Sequence, residues 1–108
     1  MAYNVTWTLT RPDEGTALPT IESFSAANKA ASDSALSDAG ITKGYTVDGL
    51  VTTVIFTAAD KATYDSAQST IDALTDEDTV RASYKSALQA ANITCVIADS
   101  EGNEIANF

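Results

Sequence analysis

The sequence predicts an α+β fold in which one antiparallel sheet is covered on a single face by helices, and three local signals carry that expectation. Tyr3 to Arg11 alternates apolar and polar residues without a fault, Asp48-Gly49 sits between two β-favouring runs, and three further stretches place apolar residues at helical spacing. The elements then run strand, helix, hairpin, helix pair, strand.

In the first strand Tyr3, Val5, Trp7 and Leu9 point one way while Asn4, Thr6, Thr8 and Thr10 point the other, and Pro12 ends it by withholding a ladder donor. A helix is expected after Pro19, with Thr20 as N-cap, Glu22 in its first turn, and a thin stripe of Ile21, Phe24, Ala27, Ala31, Ala35 and Ala39. Ser32-Asp33-Ser34 competes for backbone hydrogen bonds, which leaves open whether the helix is continuous past Ala31; Gly40 closes the helix and Ile41 folds back on Leu36. Asp48-Gly49 then forms the turn of a hairpin, pairing Val47 with Leu50. That pairing puts Tyr45, Val47, Leu50, Val54 and Phe56 on the core face, with Thr46, Val51, Thr53, Ile55 and Thr57 opposite.

Thr57-Ala58-Ala59-Asp60 reads as a capping box opening a second helix with the stripe Tyr64, Ala67, Ile71 and Leu74. Thr75-Asp76-Glu77-Asp78 repeats the pattern, which predicts a bend near Thr75 and a third helix with the stripe Val80, Tyr84, Ala87, Leu88 and Ala91. Asn92 closes it, a strand runs from Ile93 to Ala98, and after a turn at Ser100–Asn103 the segment Glu104 to Phe108 is a candidate short extra strand. This βαββ(αα)β order is a split βαβ arrangement over residues 1–108, whose usual product is a single ferredoxin-like sandwich. One sheet face is left bare.

Fifteen Asp and Glu against six Lys and Arg, with no histidine, give a net charge of −9, which repels phosphate backbones and anionic membranes. No nucleic-acid or membrane partner is therefore expected. Missing histidine removes Ser-His-Asp, Cys-His and HExxH chemistry, and the glycines form no phosphate-binding loop. Cys95 alternates with Ile93 and Ile97 on the core face and reads as a small buried hydrophobe, not a nucleophile. Asp76-Glu77-Asp78 reads as a charged helix start, and Asp99, Glu101 and Glu104 lack the spacing of a calcium loop. No catalytic residue, cofactor or metal is expected. Met1 to Asn4 carries no basic start to an apolar segment, and the expected setting is cytoplasmic.

The bare face comprises Thr6, Thr8, Val51, Thr53, Ile55, Thr94 and Val96, half threonine and half aliphatic. A solvated face is usually richer in Lys, Glu and Arg, so this one is expected to meet a partner, with a homodimer favoured. The leading functional expectation is a non-catalytic assembly or interaction module. Its alternative is a small-ligand binder or cofactor-independent oxygenase whose pocket opens between sheet and helices around Trp7, Tyr45 and Tyr64. A third reading is an acidic mimic of nucleic acid that occupies a basic protein.

The element order resembles the dimeric α+β barrel proteins, in which two ferredoxin-like protomers pack sheet against sheet; some of these are small monooxygenases or haem-handling enzymes. That resemblance implies a sheet-mediated dimer, while the absence of histidine removes the family's usual haem ligand. Tyr3-Asn4-Val5-Thr6-Trp7-Thr8-Leu9-Thr10-Arg11-Pro12 and Phe56-Thr57-Ala58-Ala59-Asp60 are similar to segments of small accessory proteins from marine phages of cyanobacteria. This second resemblance implies a role in the virion or in the infected host's cytoplasm.

Overall fold

Thr, Val and Ile dominate the strands and Ala the helices, and a computed structural model describing residues 2–108 shows how the two sets meet. Five strands, β1 (Tyr3–Thr10), β2 (Thr42–Asp48), β3 (Val51–Ala58), β4 (Thr94–Asp99) and β5 (Glu104–Asn107), form one sheet in the order β2-β3-β1-β4-β5. Every neighbouring pair is antiparallel. Three helices, α1 (Ala26–Asp38), α2 (Lys61–Asp72) and α3 (Glu77–Ala90), complete the α+β architecture. The smallest extent, 19 Å, is that of a sheet with one helical layer laid on it.

Register decides the faces. Trp7 stands opposite Val54 and Ile97, and Leu9 opposite Thr52 and Cys95, so these share the side of Tyr3 and Val5. Helical residues pack on this side: Leu88, Tyr64 and Tyr84 against Tyr3, Val5, Leu9, Cys95 and Ile97, and Leu36 and Ala67 against Ala58 and Phe56. Val5, Leu88 and Cys95 are fully buried there. Burial pushes the Cys95 thiol up to about 11, so it stays protonated and behaves as the apolar side chain its alternation suggested.

Several boundaries differ from the sequence reading. The hairpin loop is Gly49-Leu50, not Asp48-Gly49: Asp48 pairs with Val51, and a positive φ at Gly49 (58°) but not at Leu50 fits a turn with glycine leading. Val47 consequently faces Thr52 instead of Leu50. A two-residue slip leaves side-chain parity unchanged, so Val47, Val54 and Phe56 still share a face. Their burial does not follow. β2 is an edge strand exposed along its whole length, with Tyr45 and Val47 at 62% and 54% exposure, because the helices do not reach over it.

The first helical segment is divided at Phe24-Ser25, not near Ala31. Ile21–Ser23 form a single 3-10 turn after Thr20, whose side chain caps nothing. α1 starts afresh with Ser25 accepting from the Asn28 N–H, and runs unbroken through Ser32–Ser34. Likewise Thr57 stays in β3, paired with Asn4 and Thr42, and Asp60 caps α2 by accepting from Thr63 N–H and Oγ1. The expected bend between α2 and α3 is present at 73–76, but Asp76 enters α3 in the left-handed region (φ 59°) and makes no side-chain cap. β4 starts at Thr94 and runs to Asp99, and the Glu104 segment does pair with it as β5, with an irregularity between Ile97 and Ala98.

Candidate functional site: an aromatic cavity between sheet and helices

The helical layer does not close completely over the sheet. A cavity of about 690 Å³ lies between β1, β4 and the C-terminal segment below and α2 and α3 above. A second, of about 240 Å³, continues toward β3 and α1. Both are walled by Trp7, Ile21, Tyr64, Gln68, Arg81 and Tyr84, so they are two chambers of one interlayer space.

The walls are positioned by ordinary periodicity. Tyr3 and Trp7 lie four residues apart on one side of β1, and Tyr64 and Gln68 lie one turn apart on α2. Arg81, Tyr84 and Lys85 come from α3, Ile97 and Asp99 from β4, and Phe108 follows β5. The aromatic rings contact one another: Tyr3 and Tyr64 have centroids 5.5 Å apart, and Phe24 stands edge-on to Tyr84 at 6.3 Å.

A polar chain runs along the helical side. Tyr64 Oη donates to Gln68 Oε1 (3.3 Å), Gln68 Nε2 donates to Asp72 Oδ1 (3.0 Å), and Arg81 pairs with the same Asp72 oxygen at 2.5 Å. Arg81 Nε also faces the buried Glu77 carboxylate at 3.6 Å, and Asn28 Nδ2 donates to the Thr75 carbonyl (3.0 Å) and approaches Glu77 Oε1. This chain ties α1, α2 and α3 together. Gln68 and Arg81 hold the Asp72 carboxyl below its ordinary range, and burial raises the Tyr64 and Tyr84 hydroxyls.

At the sheet end Tyr3 Oη donates to Asp99 Oδ2 (2.8 Å), while Glu101 N–H, Asn103 N–H and Asn103 Nδ2 also donate to that carboxylate. Desolvation opposes ionisation of Asp99, but these donors outweigh it and bring its carboxyl down to about 2. Burial, then the Asp99 bond, pushes the Tyr3 hydroxyl far above its usual value. Asp99 is thus the anchor of the β4–β5 turn.

Of the pocket residues read from sequence, Trp7 and Tyr64 line both chambers. Tyr45 lines neither; it stands on exposed β2, outside the helical layer, which corrects that expectation. Thr6, Thr8, Val51, Thr53, Ile55, Thr94 and Val96 all fall on the opposite side of the sheet, paired through Thr6–Ile55, Thr8–Thr53 and Thr8–Val96. None of them is buried. Sequence reasoning missed Tyr3, Arg81, Tyr84, Lys85 and Phe108 as cavity walls. Stripe positions marked Tyr84, but no local pattern announces that α3 and the C-terminal residues converge on one space. Among the described residues no helix is long and apolar enough to cross a membrane. Comparison with known proteins finds no matching family model, no matching curated protein and no matching solved structure.

Proposed function

We propose that this chain is a ferredoxin-like, non-catalytic module that binds a small molecule between its sheet and its helices. The observation that carries the reading is the aromatic space itself. A volume of about 690 Å³ lies within the range of small-molecule sites, and apolar rings with a few placed polar groups are what such sites are made of. Trp7, the only tryptophan, stands at the junction of the two chambers and reports on occupancy. Titration with the uncharged dye N-phenylnaphthylamine is expected to saturate at one molecule per chain with a change in Trp7 emission. Absence of saturation below about 1 mM, where binding is worth no more than ~4 kcal/mol, overturns the reading.

A second reading, self-association through the bare face, is favoured by the alignment of Val51, Ile55 and Val96 among threonines on one unburied side. A dimer formed this way keeps the cavity open, since the two lie on opposite sides of the sheet. Converting Val51 and Ile55 together to serine is expected to halve the mass seen by light scattering. A wild-type chain that is monomeric at the outset removes this second reading.

A further inference from the structure

We propose that the ligand of the interlayer cavity is an amphipathic anion, an apolar or aromatic body with one carboxylate, and that Lys85 is its counter-charge. This rests on the ligand-binding reading above and adds the sign and place of the ligand's charge. The first support is distribution. The chain has six cationic side chains and fifteen acidic ones, yet five of the six cations line the two chambers against five of the fifteen acids. Arg11 alone lies elsewhere, its guanidinium donating to the Thr16 and Gly49 carbonyls. A strongly acidic protein has thus gathered its positive charge around one space.

The second support is pairing. Lys29 is matched to Asp33, Lys61 to Asp65, and Arg81 to Asp72 and Glu77. Among the described residues Lys43 and Lys85 have no carboxylate partner; each lies over a ring instead, Lys43 above Phe56 at 6.0 Å and Lys85 above Phe108 at 5.1 Å. Only Lys85 borders the larger chamber. The acids there are already committed: Asp65 and Asp72 to ion pairs, Asp99 to Tyr3, Glu101 and Asn103. The larger chamber carries three cations and three carboxylates, but Asp99 is satisfied by hydrogen-bond donors whereas Lys85 meets only the Phe108 ring, so Lys85 is the ion there without a polar partner. The aromatic floor under Lys85 holds its ammonium at the lip, where a ligand's head meets it while the tail lies against Trp7 and Tyr84.

Three amphiphiles with one tail, decanoate, decanol and decylamine, separate charge from cavity when titrated below their aggregation limits with Trp7 emission as readout. Decanoate is expected to bind roughly tenfold more tightly than decanol, and decylamine more weakly than either. Lys85→Met is expected to bring decanoate down to the level of decanol without altering decanol itself. Lys85→Arg is expected to keep the preference, and Arg11→Met, which removes the one cation outside both chambers, to leave all three unchanged. Circular dichroism checks that each variant is folded. Decanol or decylamine matching decanoate, or Lys85→Met keeping the preference, overturns the proposal while the cavity reading survives through the uncharged dye. Failure of the dye and all three amphiphiles to saturate overturns both.

Discussion

The joints from α1 into β2 and from α3 into β4 share three of six residues and the same backbone closure, and end in very different surroundings. Leu36-Ser37-Asp38-Ala39-Gly40-Ile41 and Leu88-Gln89-Ala90-Ala91-Asn92-Ile93 share Leu, Ala and Ile at matching positions, with Gly or Asn where φ is positive, 72° at Gly40 and 57° at Asn92. Ile41 N–H donates to the Leu36 carbonyl and Ile93 N–H to that of Leu88, both at 2.9 Å, while Gly40 and Asn92 close onto Ser37 and Gln89. The backbone solution is the same. Burial is not: Leu88 is fully buried and Leu36 half-buried, and β4 carries Cys95 at 0% exposure whereas β2 is exposed throughout. Local chemistry sets the joint; position in the sheet sets what it is worth, because β4 lies between β1 and β5 while β2 has one neighbour.

That contrast is open to measurement. Leu88→Ala empties a site with no exposure and is expected to cost about 2–5 kcal/mol by denaturant unfolding; Leu36→Ala, at the matching position, is expected to cost less than half as much. Equal losses would mean that the α1 side is as well packed as the α3 side. Next in size is the Tyr3–Asp99 bond of the better-packed half, where Tyr3→Phe is expected to cost about 1.5 kcal/mol.

The pH dependence follows from the same bond. Asp99 is lowered from 3.8 to about 2, so the stability it contributes is complete above its unfolded value and is lost as pH falls through about 2. Asp60 and Asp72 are shifted in the same direction. Acid unfolding monitored across this window is expected to be shallower in Tyr3→Phe than in the wild type. The smallest effect falls on the joints themselves. Gly40→Asn and Asn92→Gly exchange the two closing residues, and each is expected to shift stability by no more than about 1 kcal/mol, whereas Gly40→Val costs more because a β-branched residue resists positive φ.

The element order, the side on which each strand residue falls and both helix closures were legible in the sequence, since period-2 alternation and a glycine or asparagine after an apolar stripe reflect backbone geometry directly. Starts were harder. Thr20, Ser25, Thr57 and Asp60 are all competent caps by composition, and the structure uses Ser25 and Asp60 because Thr57 is held in the ladder opposite Asn4. The hairpin turn slipped for a similar reason: glycine tolerates either central position, and Leu50 is retained in the turn with its carbonyl accepting from Arg11 N–H. At the cavity, Trp7 and Tyr64 were legible because they belong to apolar stripes. Tyr45 was misplaced because alternation reports a side of the sheet but not how far the helices extend over it. Lys85 and Arg81 were invisible, since a solvated helix face and a cavity rim have the same composition.

The two ends of the sheet are unequal as templates for further strands. β5 is four residues long and meets β4 through an irregular register, a poor guide for an incoming chain. β2 offers seven residues in a regular ladder, with outward-facing amides and carbonyls that no further strand among the described residues takes up. Growth of the sheet by strand addition therefore has one available direction.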